Sequence, residues 1–310
     1  MSTVGAEVRE DAGAAWMRHM RGGDFAAAWK VSDAVLHGRR RAACFHLPRH
    51  EQWVWDGRPL DGKRVLVRCY HGLGDTLQFI RFAAPLRERA REVAVWAQPE
   101  LIPLLRTARG VDRLLPLHDG EPEVEFDADV EVMELAHALR CDAATLGPVP
   151  YLHADAAPLP RDARLAVGLV WRAGGWDERR SIPPALLAPL ARVPGVSLHL
   201  LQRGPGRGEA PPGLGADAGS DDVARAARVM RALDLVVTVD SMPAHLAGAL
   251  GVPVWTLLHS DPDWRWMEGR GDSPWYPTMR LFRQARAGEW GPVVARVAAA
   301  LAEIAPRAPV

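Results

Sequence analysis

Short apolar runs alternate with longer amphipathic segments over most of the chain, and that alternation predicts the architecture. RVLVRC (64–69) and EVAVWA (92–97) read as strands, with VDRLLPL (111–117) and DADVEVM (127–133) as further strands of the same set. TLQFIRFAAPLRERA (76–90) and PELIPLLRTA (99–108) carry the helical period between them. A second series begins near residue 165. LAVGLVW (165–171), VSLHLLQ (196–202), LDLVVTV (233–239) and VPVWTLL (252–258) read as strands, with helices near 184–192, 221–232 and 242–250. The last helix, 288–305, places Val293, Val297, Leu301 and Ile304 on one face. Ahead of both series, residues 14–36 read as two short helices around Gly22 and Gly23, with Trp16, Phe25 and Trp29 on apolar faces. A basic, aromatic connector follows, with Arg39, Arg40, Arg41, Trp53, Trp55 and a turn at Asp56–Gly57.

Strand and helix in turn predict two successive doubly wound α/β lobes, each a mostly parallel sheet with helices on both faces. The proline-rich run GPVPYLHADAAPLPRDA (147–163) has no period and reads as the connection between them. The expected division is a helical extension over 1–48, a first lobe over 49–155 and a second lobe over 156–310. Sheets of this kind bind ligands beyond the carboxyl ends of their strands, so the chemistry is sought there.

Composition narrows the partners. Lysine plus arginine and aspartate plus glutamate both total 38 in a chain of 310 residues, so no overall charge favours nucleic acid or an anionic membrane. Phosphate binding, if present, is local. The three cysteines, Cys44, Cys69 and Cys141, make no C-x-x-C pair and read as reduced core thiols. MSTVGAEVREDAG at the start lacks an apolar signal core, and no apolar stretch reaches the length of a spanning helix. A cytoplasmic protein without a transmembrane segment is expected.

Two strand ends carry candidate chemistry. After RVLVRC comes Tyr70-His71-Gly72-Leu73-Gly74-Asp75-Thr76, where Gly72 and Gly74 permit a tight turn and close approach of a ligand. It is not a dinucleotide fingerprint, because Leu77 occupies the third glycine position, and it is not a P-loop. Asp75 with Gln78 three residues on reads as a capping box, and Asp75 at a strand's carboxyl end also reads as a general base for a hydroxyl. The two roles are compatible. The second strand end is LDLVVTVDSMPAHLAGALG (233–251), where Asp240 ends a strand, Ser241 caps a helix, Pro243 fits its first turn and Gly251 closes it. Such a helix start attracts anions. His245, one turn in, offers a hydrogen bond to a diphosphate or is satisfied internally.

Cations are available nearby. Arg179 and Arg180 stand in the loop WRAGGWDERRSIPP (171–184), where a guanidinium can hold a phosphate or lie on a solvated surface. Gln202 and Arg203, further candidates for donor binding, end the following strand, ahead of the Gly/Pro-rich loop 204–220. The pairs Asp127–Asp129 and Asp261–Asp263 read as a solvated strand face and a turn, and no His/Cys cluster has zinc spacing. No metal is expected.

Taken together in order, HGLGDTLQF, VGLVWRAGG, RSIPP, LLQRGP and TVDSMPAHLAGALGVPVWTLL resemble the family 9 glycosyltransferases, the heptosyltransferase-like enzymes. The likeness runs over roughly residues 50–305. G-D-F at 23–25 resembles the middle of a tetratricopeptide repeat, which points to the branch of the family joined to such repeats. A single repeat cannot bury its own face, so it docks on the body or is the remnant of an array, with contact to another protein as a further use. The family resemblance implies a GT-B fold, a nucleoside-diphosphate sugar as co-substrate without other cofactor, inversion at the anomeric carbon, and no metal. It implies Asp75 as general base in the turn of His71, Gly72 and Gly74. It also implies donor contacts from Arg180, Asp240, Ser241 and His245, with Met242 where many members have glycine. Trp264, Trp266, Trp275 and Tyr276 match a further family feature near the nucleotide or acceptor, which aromatic packing explains nearly as well. The acceptor, whether glycan, lipid-linked or protein, is not specified. A second reading keeps the fold without the catalysis, as a sugar-nucleotide or protein-binding module.

Overall fold

The computed structural model describes residues 11–39, 42–159 and 164–305; Arg40 and Arg41 of the connector and residues 160–163 of the proline-rich segment lie outside the described residues. Helices α1 (Ala12–Arg21) and α2 (Phe25–Arg39) form the expected pair, turning at Gly23 with φ of 76°. Asp11 caps α1 by accepting the N–H groups of Gly13 and Ala14, and Asp24 accepts that of Ala27 at the start of α2. Their shared face is buried at Met20, Phe25, Ala28, Trp29 and Leu36. Trp29 Nε1 donates to the Cys141 carbonyl at 2.7 Å, while Phe25 packs on Trp275 and Trp16 on Trp264 at centroid distances of 5.8 and 5.1 Å. The pair therefore touches both lobes, and each large side chain it buries contributes about 1.5–3 kcal/mol.

The first sheet contains β1 (Arg64–Arg68), β2 (Glu92–Ala97), β3 (Arg113–Pro116) and β4 (Ala128–Glu131), all parallel in the order β3-β2-β1-β4. Helices α3 (Leu73–Phe79), α4 (Ala83–Arg89), α5 (Ile102–Leu105) and α6 (Leu135–Ala138) bring their apolar residues to the face of Val65, Val67, Val93 and Val95. Helices on both faces were expected here, and this sheet departs from that. The cluster on its other face, Leu66, Ala94 and Trp96, is packed by loop residues such as Leu117, Val124 and Phe126, with the guanidinium of Arg49 5.2 Å from the Trp96 ring. The segment joining β3 to β4 is a loop, so no helix is available to cover that side.

The helix expected over 76–90 begins earlier, at Leu73, and is interrupted by a 3₁₀ turn at Ile80–Phe82. Pro85 explains the break, since it has no N–H to donate to the Arg81 carbonyl and its ring crowds that position.

The second sheet is parallel throughout in the order β10-β9-β8-β5-β6-β7, with β5 (Leu165–Val170), β6 (Val196–Leu200), β7 (Ala216–Asp217), β8 (Leu235–Val239), β9 (Val254–Leu258) and β10 (Met279–Arg283). Helices α7 (Val223–Met230), α8 (Met242–Ala249) and α9 (Trp290–Ile304) accompany it. The strands β7 and β10 were not anticipated. Residues 184–192 form two single 3₁₀ turns in place of a helix, because Pro183, Pro184 and Pro189 remove donors from the ladder.

The lobes meet along α3 and α8. Tyr151, in the connecting segment, donates its hydroxyl to the Leu77 carbonyl at 2.9 Å and its N–H to Ala249. Arg81 donates to the Trp275 carbonyl at 2.8 Å from between the rings of Tyr151 and Tyr276. Val65 of the first sheet and Leu246 of α8 belong to one apolar cluster, so the floor between the lobes is continuous core. Among the described residues, no helix is long and apolar enough to cross a membrane.

Candidate functional site

The turn after β1 and the first turn of α3 form one wall of a cleft. Asp75 is the third residue of α3, and its Oδ2 accepts the Gly72 N–H at 2.9 Å. The capping partner of Asp75 is therefore Gly72 behind it, not Gln78 ahead of it. Gln78 is buried and its Oε1 accepts Arg265 Nε at 2.7 Å. Arg265 also donates Nη2 to Asp75 Oδ1 and pairs through Nη1 with Asp263 at 2.9 Å. Burial depresses the proton affinity of Arg265, but Asp263, Asp75 and Asp240 outweigh it and hold the guanidinium above its ordinary pKa. A second-lobe cation thus secures the first-lobe carboxylate.

His71 stands on the same turn. Its Nδ1 lies 3.0 Å from Oε1 of Glu131, whose side chain is 2% exposed at the end of β4. Glu131 is itself oriented by the Met133 N–H at 2.7 Å, and the His71 carbonyl accepts Gln98 Nε2 at 2.7 Å. Partial burial lowers the imidazole pKa, the charge of Arg265 works the same way, and Glu131 with Asp75 reverses both, so the net direction is upward.

The opposite wall is the start of α8. Ser241 occupies the N-cap position, but its hydroxyl points back to the Val239 carbonyl at 3.2 Å and leaves the helix without a side-chain cap. Asp240 is 4% exposed, its Oδ2 has no hydrogen-bond partner, and burial together with the charge of Asp263 pushes its pKa up to about 6. His245 is buried, stacked on Trp266 with centroids 5.4 Å apart and placed with Nδ1 3.0 Å from the Tyr276 hydroxyl. Burial and the nearby arginines 265, 81 and 180 hold its pKa well below 6.5, so it offers a neutral imidazole. The two walls touch at Gly74. A Cβ there would lie 3.0 Å from His245 Cδ2 and 3.4 Å from Met242 Cα, a tight fit that the absence of a side chain relieves.

The third wall comes from the loop after β5. Arg180 donates Nη1 to the Asp240 carbonyl at 3.3 Å, which brings its guanidinium beside the α8 start. Arg179, also on the lining of the cleft, is held in a bidentate pair with Asp177. The structure does not bring Gln202 or Arg203 to the cleft. Gln202 Oε1 instead accepts the N–H groups of Trp171 and Arg172, tying two strand ends together, and Arg203 lies 3.9 Å from Asp221. Asp127 and Asp129 are not free solvated carboxylates, since Arg64 and Arg68 engage them at 2.9 and 2.8 Å. Of the aromatic set, Trp264 lines the cleft, whereas Trp266, Trp275 and Tyr276 are core residues at its base. Among the described residues, no group of three or more His, Cys, Asp and Glu side chains has an arrangement that could hold a metal ion.

The cleft encloses about 780 Å³ and is lined by His71, Gly72, Gly74 and Asp75 from one lobe, and by Arg180, Asp240, Ser241, Met242 and His245 from the other. The strands and helices of its second wall carry a recognisable pattern. Residues 218–302 match the family model described as Glycosyltransferase family 9 (heptosyltransferase). Protein FlbA of Caulobacter vibrioides (strain ATCC 19089 / CIP 103742 / CB 15) is 28% identical over 302 residues, an overlap covering 81% of this chain and 48% of FlbA. The chain thus spans about half the length of the curated relative it matches. Among solved structures, the glycosyl transferase family 9 from Veillonella parvula DSM 2008 superposes with a TM-score of 0.55 at 14% identity, over 73% of this chain and 87% of that one. The E. coli ADP-heptose lps heptosyltransferase II gives 0.54 at 15% identity, over 77% and 99%. These likenesses establish the fold as a GT-B pair of lobes with a helical N-terminal region.

The matched segment 218–302 contains α8 and its approach, but the residues that engage Asp75 and His71 include two the sequence pattern did not single out. Arg265 sits between two tryptophans in an aromatic run, where it reads as a surface cation. Glu131 reads as one acid among several in an alternating strand. The only local hint for Glu131 is its place at the carboxyl end of a strand beside β1.

Proposed function

We propose that the chain is an inverting glycosyltransferase that moves a sugar from a nucleoside diphosphate to an acceptor hydroxyl, without a metal. One observation carries this reading: Asp75 and the start of α8 line one cleft, with their helices in contact at Gly74. The diphosphate lies against the amino end of α8 with Arg180 beside it, where helix dipole and guanidinium oppose the charge that develops as the leaving group departs. His245, neutral, adds a hydrogen bond without adding charge. The acceptor hydroxyl approaches from the first lobe, and Asp75 takes its proton as the bond to the anomeric carbon forms. A single base on one side and fixed positive dipoles on the other suffice for inversion. A covalent intermediate would instead require a carboxylate nucleophile against the sugar.

The test is Asp75→Asn with a panel of ADP, UDP and GDP sugars. Nucleotide affinity is expected to stay within about threefold while turnover falls on the order of 10²–10⁴-fold. Undiminished turnover in the variant removes Asp75 from the base role.

A further inference from the structure

We propose that His71, held by Glu131, receives the acceptor proton from Asp75 and passes it to solvent, so that this imidazole sets the pH dependence of the reaction. This rests on the transferase reading and adds a second stage to it.

The geometry begins with Asp75. Both of its oxygens are engaged in the resting cleft, Oδ2 by the Gly72 N–H and Oδ1 by the buried Arg265 guanidinium. A proton placed on this carboxylate neutralises the partner of a cation that is 9% exposed, an arrangement that is costly to maintain. The residue that precedes Gly72 is His71, so the carboxylate, by reaching back to the Gly72 amide, is brought to the imidazole's own turn. Three charged groups act on that imidazole: Glu131 from the end of β4, Asp75 from α3 and Arg265 from the segment after β9. The two carboxylates prevail. His71 lines the cleft and keeps 30% of its side chain exposed, which gives the proton a way out.

The balance of the step is simple. The acceptor O–H bond breaks as its oxygen bonds the anomeric carbon, and the bond from that carbon to the diphosphate breaks with its electron pair on the nucleotide. The proton moves to Asp75, then to the free nitrogen of His71. Two satisfied ion pairs remain, Asp75 with Arg265 and imidazolium with Glu131, until water takes the proton from His71. A buried carboxylate 3.0 Å from one imidazole nitrogen stabilises the imidazolium that such a transfer forms.

Two measurements on the full chain test this. The first is an NMR titration of imidazole-labelled protein, with His71→Asn used to assign the signal. His71 is expected to titrate above the ordinary imidazole value of about 6.5, and Glu131→Gln to lower its midpoint by about one pH unit or more. The second is the pH profile of kcat/KM with the sugar nucleotide that the panel identifies. The acidic limb is expected in the imidazole range, at lower pH in Glu131→Gln, and absent in His71→Asn. A titration unmoved by Glu131→Gln overturns the proposal, as does a wild-type limb in the carboxylate range. If the wild-type protein binds none of ADP, UDP, GDP or their sugars, the transferase reading itself fails. A His71 that still titrates high and responds to Glu131→Gln then shows that the pair exists but serves another chemistry.

Discussion

At the scale of single residues, the cleft is organised by buried charge. Asp240 is the clearest case, because its carboxylate lies at a helix start yet is 4% exposed with one oxygen unpaired. Its folded pKa of about 6 exceeds the unfolded value of about 3.9, so the native state holds the proton more tightly. Stability from this group is complete below about pH 4 and is lost as pH rises through about 6. Asp240→Asn removes that loss. Urea unfolding is therefore expected to show the variant gaining on the wild type between about pH 4 and pH 8, by on the order of 1–3 kcal/mol. A difference that does not vary with pH contradicts this account of Asp240.

At the scale of elements, the site depends on two helices packed side by side with their amino ends together. α3 and α8 approach closely because Gly74 has no side chain, and Met242 Cα lies 3.4 Å from where a Cβ of that residue would stand. Gly74→Ala places a methyl group 3.0 Å from His245 Cδ2, tighter than most Cβ contacts, so His245 or α3 has to give by a few tenths of an ångström. A loss of about 1–3 kcal/mol in urea unfolding is expected. Nucleotide affinity falls with it, because both walls of the cleft move. A variant as stable as the wild type would mean that the contact has slack. Element boundaries were legible in the sequence where apolar runs were compact, as in RVLVRC and EVAVWA. They were less so where proline intervened. Pro85 divides one expected helix and Pro189 helps to reduce another to turns, and neither effect interrupts the apolar period from which the helices were read. β10 escaped notice because MRLFR is short and lies within a region dominated by aromatic and turn residues.

At the scale of the whole molecule, the two lobes are joined by a shared core, and the N-terminal helices are part of that core. Their apolar face is already buried, against Cys141 of the first lobe and Trp264 and Trp275 of the second. The structure contains a helical pair docked on the body. The sequence made both strand ends of the site legible, since a glycine turn and a capped helix start are local patterns. It left Arg265 and Glu131 obscure, because pairing across 190 positions in one case and burial at a strand end in the other have no local signature. Gln202 and Arg203 misled for the same reason: a strand end was legible, but not the direction in which it faces.

The most direct test of the account is calorimetric titration of nucleoside diphosphates into the wild type and Arg180→Ala. The wild type is expected to bind at least one of ADP, UDP and GDP, and the variant to bind it about 10–100-fold more weakly, as befits the loss of one charge-assisted phosphate contact. Equal affinity in the two proteins, or no binding by either, would contradict a diphosphate site at the start of α8.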